Sequence, residues 1–231
     1  MRIIVAGGHG KIALLLARRL RDRGHQPVGL IRNPDHAADL AASGAESVVL
    51  DLESSGVDEV AAVLAGADAA VFAAGGGPDS GAARKLSVDR DGAILLADAA
   101  VAAGVRRYVV VSSMGADDFG PAEGLDADVA AGLRDDPDDL DVFRIYQRAK
   151  GAADAAVRER DLDWTIVRPG GLVDDEPTGG VTVAVSTGRG TIPRADVAEV
   201  LAVVLDAGSA VGRQFEVISG TDPIATALQQ L

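Results

Sequence analysis

Short runs of consecutive apolar residues alternate along this chain with longer stretches where apolar and charged residues mix. The short runs cover residues 3–6, 27–31, 47–50, 69–73, 107–112 and 164–167, and their Val and Ile content predicts strands. They show little polar–apolar alternation, as expected of strands covered on both faces. The intervening stretches 11–23, 34–43, 57–65 and 82–103 are rich in Ala, Leu and charge and predict helices. Gly24, Gly44, Gly66 and Gly104 follow the helical stretches, where a left-handed residue closes a helix. The alternation predicts an α/β fold: a Rossmann-type, doubly wound, mostly parallel sheet with helices on both faces. A single domain is expected over residues 1–231, with the substrate region mainly in 113–231.

One segment departs from this rhythm. Residues 115–141 hold ten acids and one base, Arg134, together with Gly120, Pro121, Gly124, Gly132 and Pro137. Such an insert just after a strand end is a solvated loop or, alternatively, a lid. Substrate contacts are expected from this insert and from residues 174–190.

Composition narrows the function classes. A chain of 231 residues can bury a core without covalent staples, and it has no cysteine, which excludes disulfides and thiolate chemistry. His9, His25 and His36 lack ligand spacing, so no metal is expected. A net charge of −13 argues against nucleic acid or an anionic membrane as partner. No apolar run reaches membrane-spanning length, and the first strand starts at residue 2, so a cytoplasmic protein is expected. The expected partner is a small molecule, with the chain a monomer or small homo-oligomer.

Candidate chemistry begins at residues 7–13, Gly-Gly-His-Gly-Lys-Ile-Ala, between the first strand and first helix. Gly7 lets the chain turn, Gly10 lets a pyrophosphate approach the backbone, and Ala13 lets helix and strand pack closely. The helix N-terminus then offers free N–H groups to phosphate. A P-loop is disfavoured, because Ile12 follows Lys11 where Ser or Thr is required.

The second strand ends at Arg32, where an acid would bind the ribose of NAD. A guanidinium there suits a 2′-phosphate and favours NADP(H), with NAD(H) as the alternative. Asp51 ends the third strand and either accepts from adenine or forms a turn. Ala73, Ala74 and Gly75 are small enough for a ribose to lie against the backbone. Ser112 and Ser113 end the fifth strand, at the edge where open α/β sheets bind ligands. Tyr146 and Lys150 are four apart, on one helix face, and a neighbouring ammonium favours a phenolate. A partly buried tyrosine packed under a lysine stem accounts for the same spacing.

In order and spacing these motifs resemble the short-chain dehydrogenase/reductases. The match is to the atypical NAD(P)H-binding branch, with NmrA-like regulators and biliverdin/flavin-reductase-like proteins. Further carriers are Val88-Asp89-x-x-Gly92, Gly104-Val105-x-x-Tyr108-Val109, residues 164–170 (Trp-Thr-Ile-Val-Arg-Pro-Gly) and Arg194-x-Asp196-Val197-Ala198. The resemblance implies that Gly7, His9, Gly10, Lys11 and Ile12 wrap the pyrophosphate, and that Asp51 with Leu52 holds the adenine. It implies that Ser113 orients a carbonyl, Tyr146 donates a proton, and Lys150 holds the nicotinamide ribose. Pro169, Gly170, Gly171 and Leu172 would border the nicotinamide.

Two departures stand out: the insert lengthens the Ser113–Tyr146 interval, and the chain is too short for the extended branch, which disfavours nucleotide-sugar epimerisation. The expected function is NADP(H)-dependent reduction of a small carbonyl, quinone or flavin-like acceptor. The alternatives are a non-catalytic NADP(H)-binding redox sensor and an isomerase or dehydratase on the same scaffold.

Overall fold

The apolar runs pair edge to edge in a computed structural model that describes residues 1–77, 80–120, 123–132 and 139–231. The strands are β1 (Arg2–Ala6), β2 (Gln26–Ile31), β3 (Glu46–Val49), β4 (Ala69–Phe72), β5 (Arg107–Val111) and β6 (Asp163–Pro169). They are followed by β7 (Gly171–Val173), β8 (Gly180–Ala184), β9 (Thr191–Pro193), β10 (Arg213–Ser219) and β11 (Asp222–Pro223). Among the described residues nine strands form one sheet, in the order β11-β8-β10-β6-β5-β4-β1-β2-β3, while β7 and β9 pair separately. Pairing is parallel except where β8 meets β10 and β11. The order reverses at β1, which lies between β2 and β4, and this opens a crevice at their carboxyl ends.

Successive side chains of a strand point to opposite faces, so each central strand feeds two cores. Ile3 and Val5 of β1 pack with Leu16 and Leu20 of α1 (Lys11–Asp22) and with Leu201 of α8 (Arg194–Asp206). Ile4 and Ala6 face the other way. They join Leu64 of α3 (Val57–Leu64), Leu96 of α5 (Ala93–Ala103) and Val157 of α7 (Asp139–Arg158). Leu16 and Leu20 are fully buried, and each burial contributes about 1.5–3 kcal/mol.

The six expected strands and the helices expected at 11–23 and 57–65 form within a residue or two of their expected ends. Gly24 takes φ +80°, its N–H donates to the Arg21 carbonyl, and the His25 N–H donates to that of Leu20. That is the closed helix end expected of a glycine there.

Three expectations need correction. The stretch 34–43 starts as a tight 3₁₀ turn (Pro34–His36) before α2 (Ala37–Ala42), with the Asn33 side chain accepting from the Asp35 N–H. The stretch 82–103 is α4 (Ala82–Arg84), a π-helical segment (Lys85–Gly92) and α5. A widened helix of this kind often marks a functional site.

The acidic insert is not simply a loop. It contains a 3₁₀ turn (Ala116–Phe119) and α6 (Leu125–Gly132). Leu125 and Val129, four apart on one helix face, are buried against Ala82, Leu86, Ile145 and Ala149. Its acids find arginines: Asp126 pairs with Arg90 and Asp128 with Arg148. Arg134, Pro121 and Pro137 lie outside the described residues. Of the later elements, β8, β10 and β11 extend the sheet beyond β6, and α8 and α9 (Ile224–Leu228) pack in the core beside it.

Candidate functional site

The glycine turn lies at the mouth of the crevice. Gly7 has φ +78°, and a Cβ there would come within 2.6 Å of the Ala74 backbone. Gly8 packs on Gly29 so closely that its Cβ would meet the Gly29 Cα at 2.6 Å, and the Gly8 N–H donates to the Leu30 carbonyl at 2.9 Å. The turn is thus pressed onto β2 and β4. Gly10 caps α1 without any side-chain bond to its first N–H groups, which leaves a positive, donor-rich end. These features fit a dinucleotide pyrophosphate. Ala13 is buried in the α1–sheet contact, as close packing requires.

A cavity of about 300 Å³ extends from this turn over the ends of β2 and β3. Gly7, His9, Gly10, Arg32, Asp51, Leu52, Ala73, Ala74 and Gly75 all line it. The His9 ring stacks on His36 with centroids 3.6 Å apart and bonds Asp39 at 2.7 Å. Asp51 also supports a turn, accepting from the Glu53 N–H at 3.1 Å. Two guanidiniums, Arg32 and Arg84, reach the wall, and the Glu53 carboxylate lies on both, at 3.3 and 3.0 Å.

A second cavity, of about 650 Å³, shares Ala73, Ala74 and Gly75 with the first and runs toward α7. Its wall includes Ile12, Ser112, Phe143, Tyr146, Lys150 and Leu172. Lys150 is buried. Its Nζ donates to the Val111 carbonyl at 3.2 Å, pairs with Asp89 at 3.3 Å, and lies 5.9 Å from the Tyr146 ring centroid. Burial works to pull the Lys150 ammonium down. Asp89, Tyr146 and Asp154 outweigh it and hold Lys150 above its ordinary range, so it is cationic at neutral pH. Lys85 sits 5.6 Å from the same tyrosine ring. Asp89, in the π-helical segment, also accepts from the Gly76 N–H at 2.9 Å, tying the cavity's glycine wall to the lysine.

Behind this cavity is a buried charge network. Ser112 Oγ donates to Asp154 Oδ2 at 2.6 Å, and Arg168 donates to the same oxygen from Nε and Nη2 at 2.9 and 2.8 Å. Arg168 also forks onto Asp117 of the insert, at 2.7 and 2.8 Å. Burial pushes the Asp154 carboxyl up, and Arg168, Ser112 and Lys150 offset this only in part. On half-exposed Asp117 the same pull of Arg168 outweighs burial and holds the carboxyl below the usual range.

A family model described as NAD(P)H-binding matches residues 7–207, a span that holds the glycine turn and both cavities. The chain belongs to this NAD(P)H-binding family. It is 34% identical over 232 residues to the Bacillus subtilis protein named "Uncharacterized sugar epimerase YhfK", covering 100% of both chains. A solved Bacillus halodurans structure, provisionally named an NAD-dependent epimerase/dehydratase, is 37% identical, with TM-score 0.86 and 100% of both chains covered. The structure of the oxidoreductase ylbE from Lactococcus lactis is 26% identical, with TM-score 0.78, covering 100% of this chain and 96% of that one.

In this NAD(P)H-binding protein the expected site residues divide into two groups. Those named above as lining come together at the two cavities. Lys11, Ser113, Pro169, Gly170 and Gly171 are not among the described lining residues. Lys11 instead pairs with Asp174 at 2.5 Å. The Gly170 and Gly171 N–H groups donate to the carbonyls of Val217 and Gly190, knitting β6 to the carboxyl-terminal strands. Ser113 accepts from Gln147 Nε2 at 3.2 Å, which leaves the serine's own proton for another acceptor. Among the described residues no group of three or more His, Asp or Glu could hold a metal ion, and no helix is long and apolar enough to cross a membrane.

Sequence reasoning assigned no role to Glu53, Arg84, Asp89, Asp154 or Arg168. A signal existed for two of them. Arg168 interrupts an apolar strand, and a charge there requires a buried partner. Asp154 follows Tyr146 and Lys150 at the same spacing of four, on one face of α7.

Proposed function

We propose that this protein is an NADP(H)-dependent reductase of a small, largely apolar carbonyl, quinone or flavin-like acceptor. What supports this is the single wall, Ala73 to Gly75, that joins a cavity rimmed by Arg32 to one holding Tyr146 and Lys150. A dinucleotide lying across that wall has its adenosine half at Arg32 and its nicotinamide half at the tyrosine. Bound NADPH supplies the hydride.

The chain's own residues supply the remainder. The glycine turn and the α1 N-terminus bind the pyrophosphate. Arg32 holds the 2′-phosphate in a charge-assisted contact. Ile12, Val142, Phe143 and Leu172 give the second cavity apolar walls that suit a flat acceptor. Tyr146 gives its hydroxyl proton to the acceptor oxygen as charge develops there. Lys150, fixed by Asp89 and the Val111 carbonyl, keeps a positive charge beside that tyrosine.

The test is a panel of quinones, aldehydes and flavins with NADPH, followed by absorbance. Tyr146→Phe should abolish most turnover while leaving NADPH binding intact. Full turnover in that variant removes Tyr146 from the chemistry.

A second reading comes from the epimerase and epimerase/dehydratase names of two relatives. Stoichiometry separates the two. A reductase consumes one NADPH per product, whereas an epimerase or dehydratase returns its cofactor unchanged.

A further inference from the structure

We infer that Glu53 is the internal anion a cofactor 2′-phosphate must displace, and that it sets how far the site prefers NADP(H) over NAD(H). This rests on the NADP(H) reading above and deepens it. Three segments converge on the Glu53 carboxylate. Its Oε2 lies 3.3 Å from Arg32 Nη1, after β2, and 3.0 Å from Arg84 Nη2, in α4. Its Oε1 accepts from Ser87 Oγ, in the π-helical segment, at 2.6 Å. All three charged residues line the adenosine cavity.

The arrangement is that of a phosphate site with a carboxylate seated in it. Guanidiniums bind carboxylate and phosphate oxygens through the same paired N–H geometry. Arg84 is under-satisfied as it stands: its Nε is buried and has no acceptor among the described residues. Arg32 keeps 54% of its side chain exposed, so it can turn toward an arriving ligand. Within this cluster two guanidiniums face one carboxylate, while Asp51, on the same cavity wall, accepts from the Glu53 N–H.

Glu53 therefore acts in opposite directions on the two cofactors. It repels a 2′-phosphate and competes for its ligands, but it can accept a hydrogen bond from a ribose 2′-hydroxyl. An ordinary surface ion pair would do neither, and its loss would leave cofactor choice unchanged.

Glu53→Gln tests this directly. The amide keeps the side chain's shape and its bond to Ser87 while removing the charge. Equilibrium titration of the full chain, read by nicotinamide fluorescence, gives Kd for NADPH and NADH. The expected result is a shift of about tenfold in the NADPH/NADH affinity ratio toward NADPH, the size of a lost like-charge contact. An unchanged ratio, or a shift toward NADH, overturns the inference and leaves Glu53 as a brace for the arginines. Arg84→Gln gives a second readout: a selective loss of NADPH affinity is expected, and equal effects on both cofactors contradict a phosphate role. Arg32→Ala separates this from the underlying reading. If it leaves the wild-type ratio intact, the 2′-phosphate assignment to Arg32 fails, whatever Glu53→Gln reports.

Discussion

The two ends of the cleft are built in different ways. The end at the glycine turn is local: a turn, three strand ends and charged side chains that stay partly in water. The reactive end is assembled at long range. Lys150 on α7 meets Asp89 of the π-helical segment, and Ser112 after β5 meets Asp154 and, through it, Arg168 of β6. The first end can bind and discriminate with little effect on folding. The second holds charges in the core, so its chemistry and the fold's stability depend on the same groups.

The sharpest break between the two ends should come from Tyr146→Phe. Loss of a proton donor typically costs 10²–10⁴-fold in rate, about 3–5 kcal/mol of barrier, and steady-state kinetics should register it. NADPH affinity, by titration, should move by no more than about twofold, since the hydroxyl is remote from the phosphates.

Next in size is Asp154→Ala. It leaves Arg168 with only Asp117 and deprives Ser112 of its acceptor. Breaking a buried charge pair costs about 3 kcal/mol or more, visible as a lower urea midpoint at unchanged slope. A loss as small as that of a surface pair would mean that the reactive end is not welded to the core.

How legible each end is follows from the same difference. The turn at Gly7 and Gly10, Arg32 and the small residues at Ala73 to Gly75 were readable as neighbours of one cavity because each stands beside a strand end. The mostly parallel, doubly wound sheet followed from the alternation of apolar runs and helices, whereas its strand order comes from the structure. Asp89 was not assigned because its partner Lys150 lies far away in sequence, and Glu53 because no pattern marks the turn after β3 as facing Arg32 and Arg84. The insert was misread because its acids outnumber the two apolar positions that dock it, Leu125 and Val129. The π-helical widening at Lys85–Gly92 leaves no trace in apolar spacing.

Arg32→Ala sharpens the other side of the comparison. Losing a charge-assisted contact of about 1.5–3 kcal/mol should weaken NADPH about 10–100-fold, spare NADH, and leave thermal stability unchanged without cofactor. A matching loss for both cofactors would mean that Arg32 braces the pocket instead.

The smallest effect belongs to the link between the insert and the core. Arg168 lowers the Asp117 carboxyl, so this pair stabilises the fold above the ordinary carboxylate range. Its contribution disappears as pH falls from about 4 through the depressed folded value. With Asp117 half in water, Asp117→Asn should cost at most about 1 kcal/mol near neutrality and nothing at strongly acid pH. Urea titrations across pH measure this, and an equal loss at every pH would contradict it.

The central claim is that one cofactor joins the two cavities, and a crystal structure with NADP⁺ tests it most directly. The 2′-phosphate is expected on Arg32 and the nicotinamide ring in the second cavity, with its reactive carbon facing the acceptor space beside Tyr146. A nicotinamide lodged outside the Tyr146–Lys150 cavity, or a 2′-phosphate pointing away from Arg32 into solvent, would contradict it.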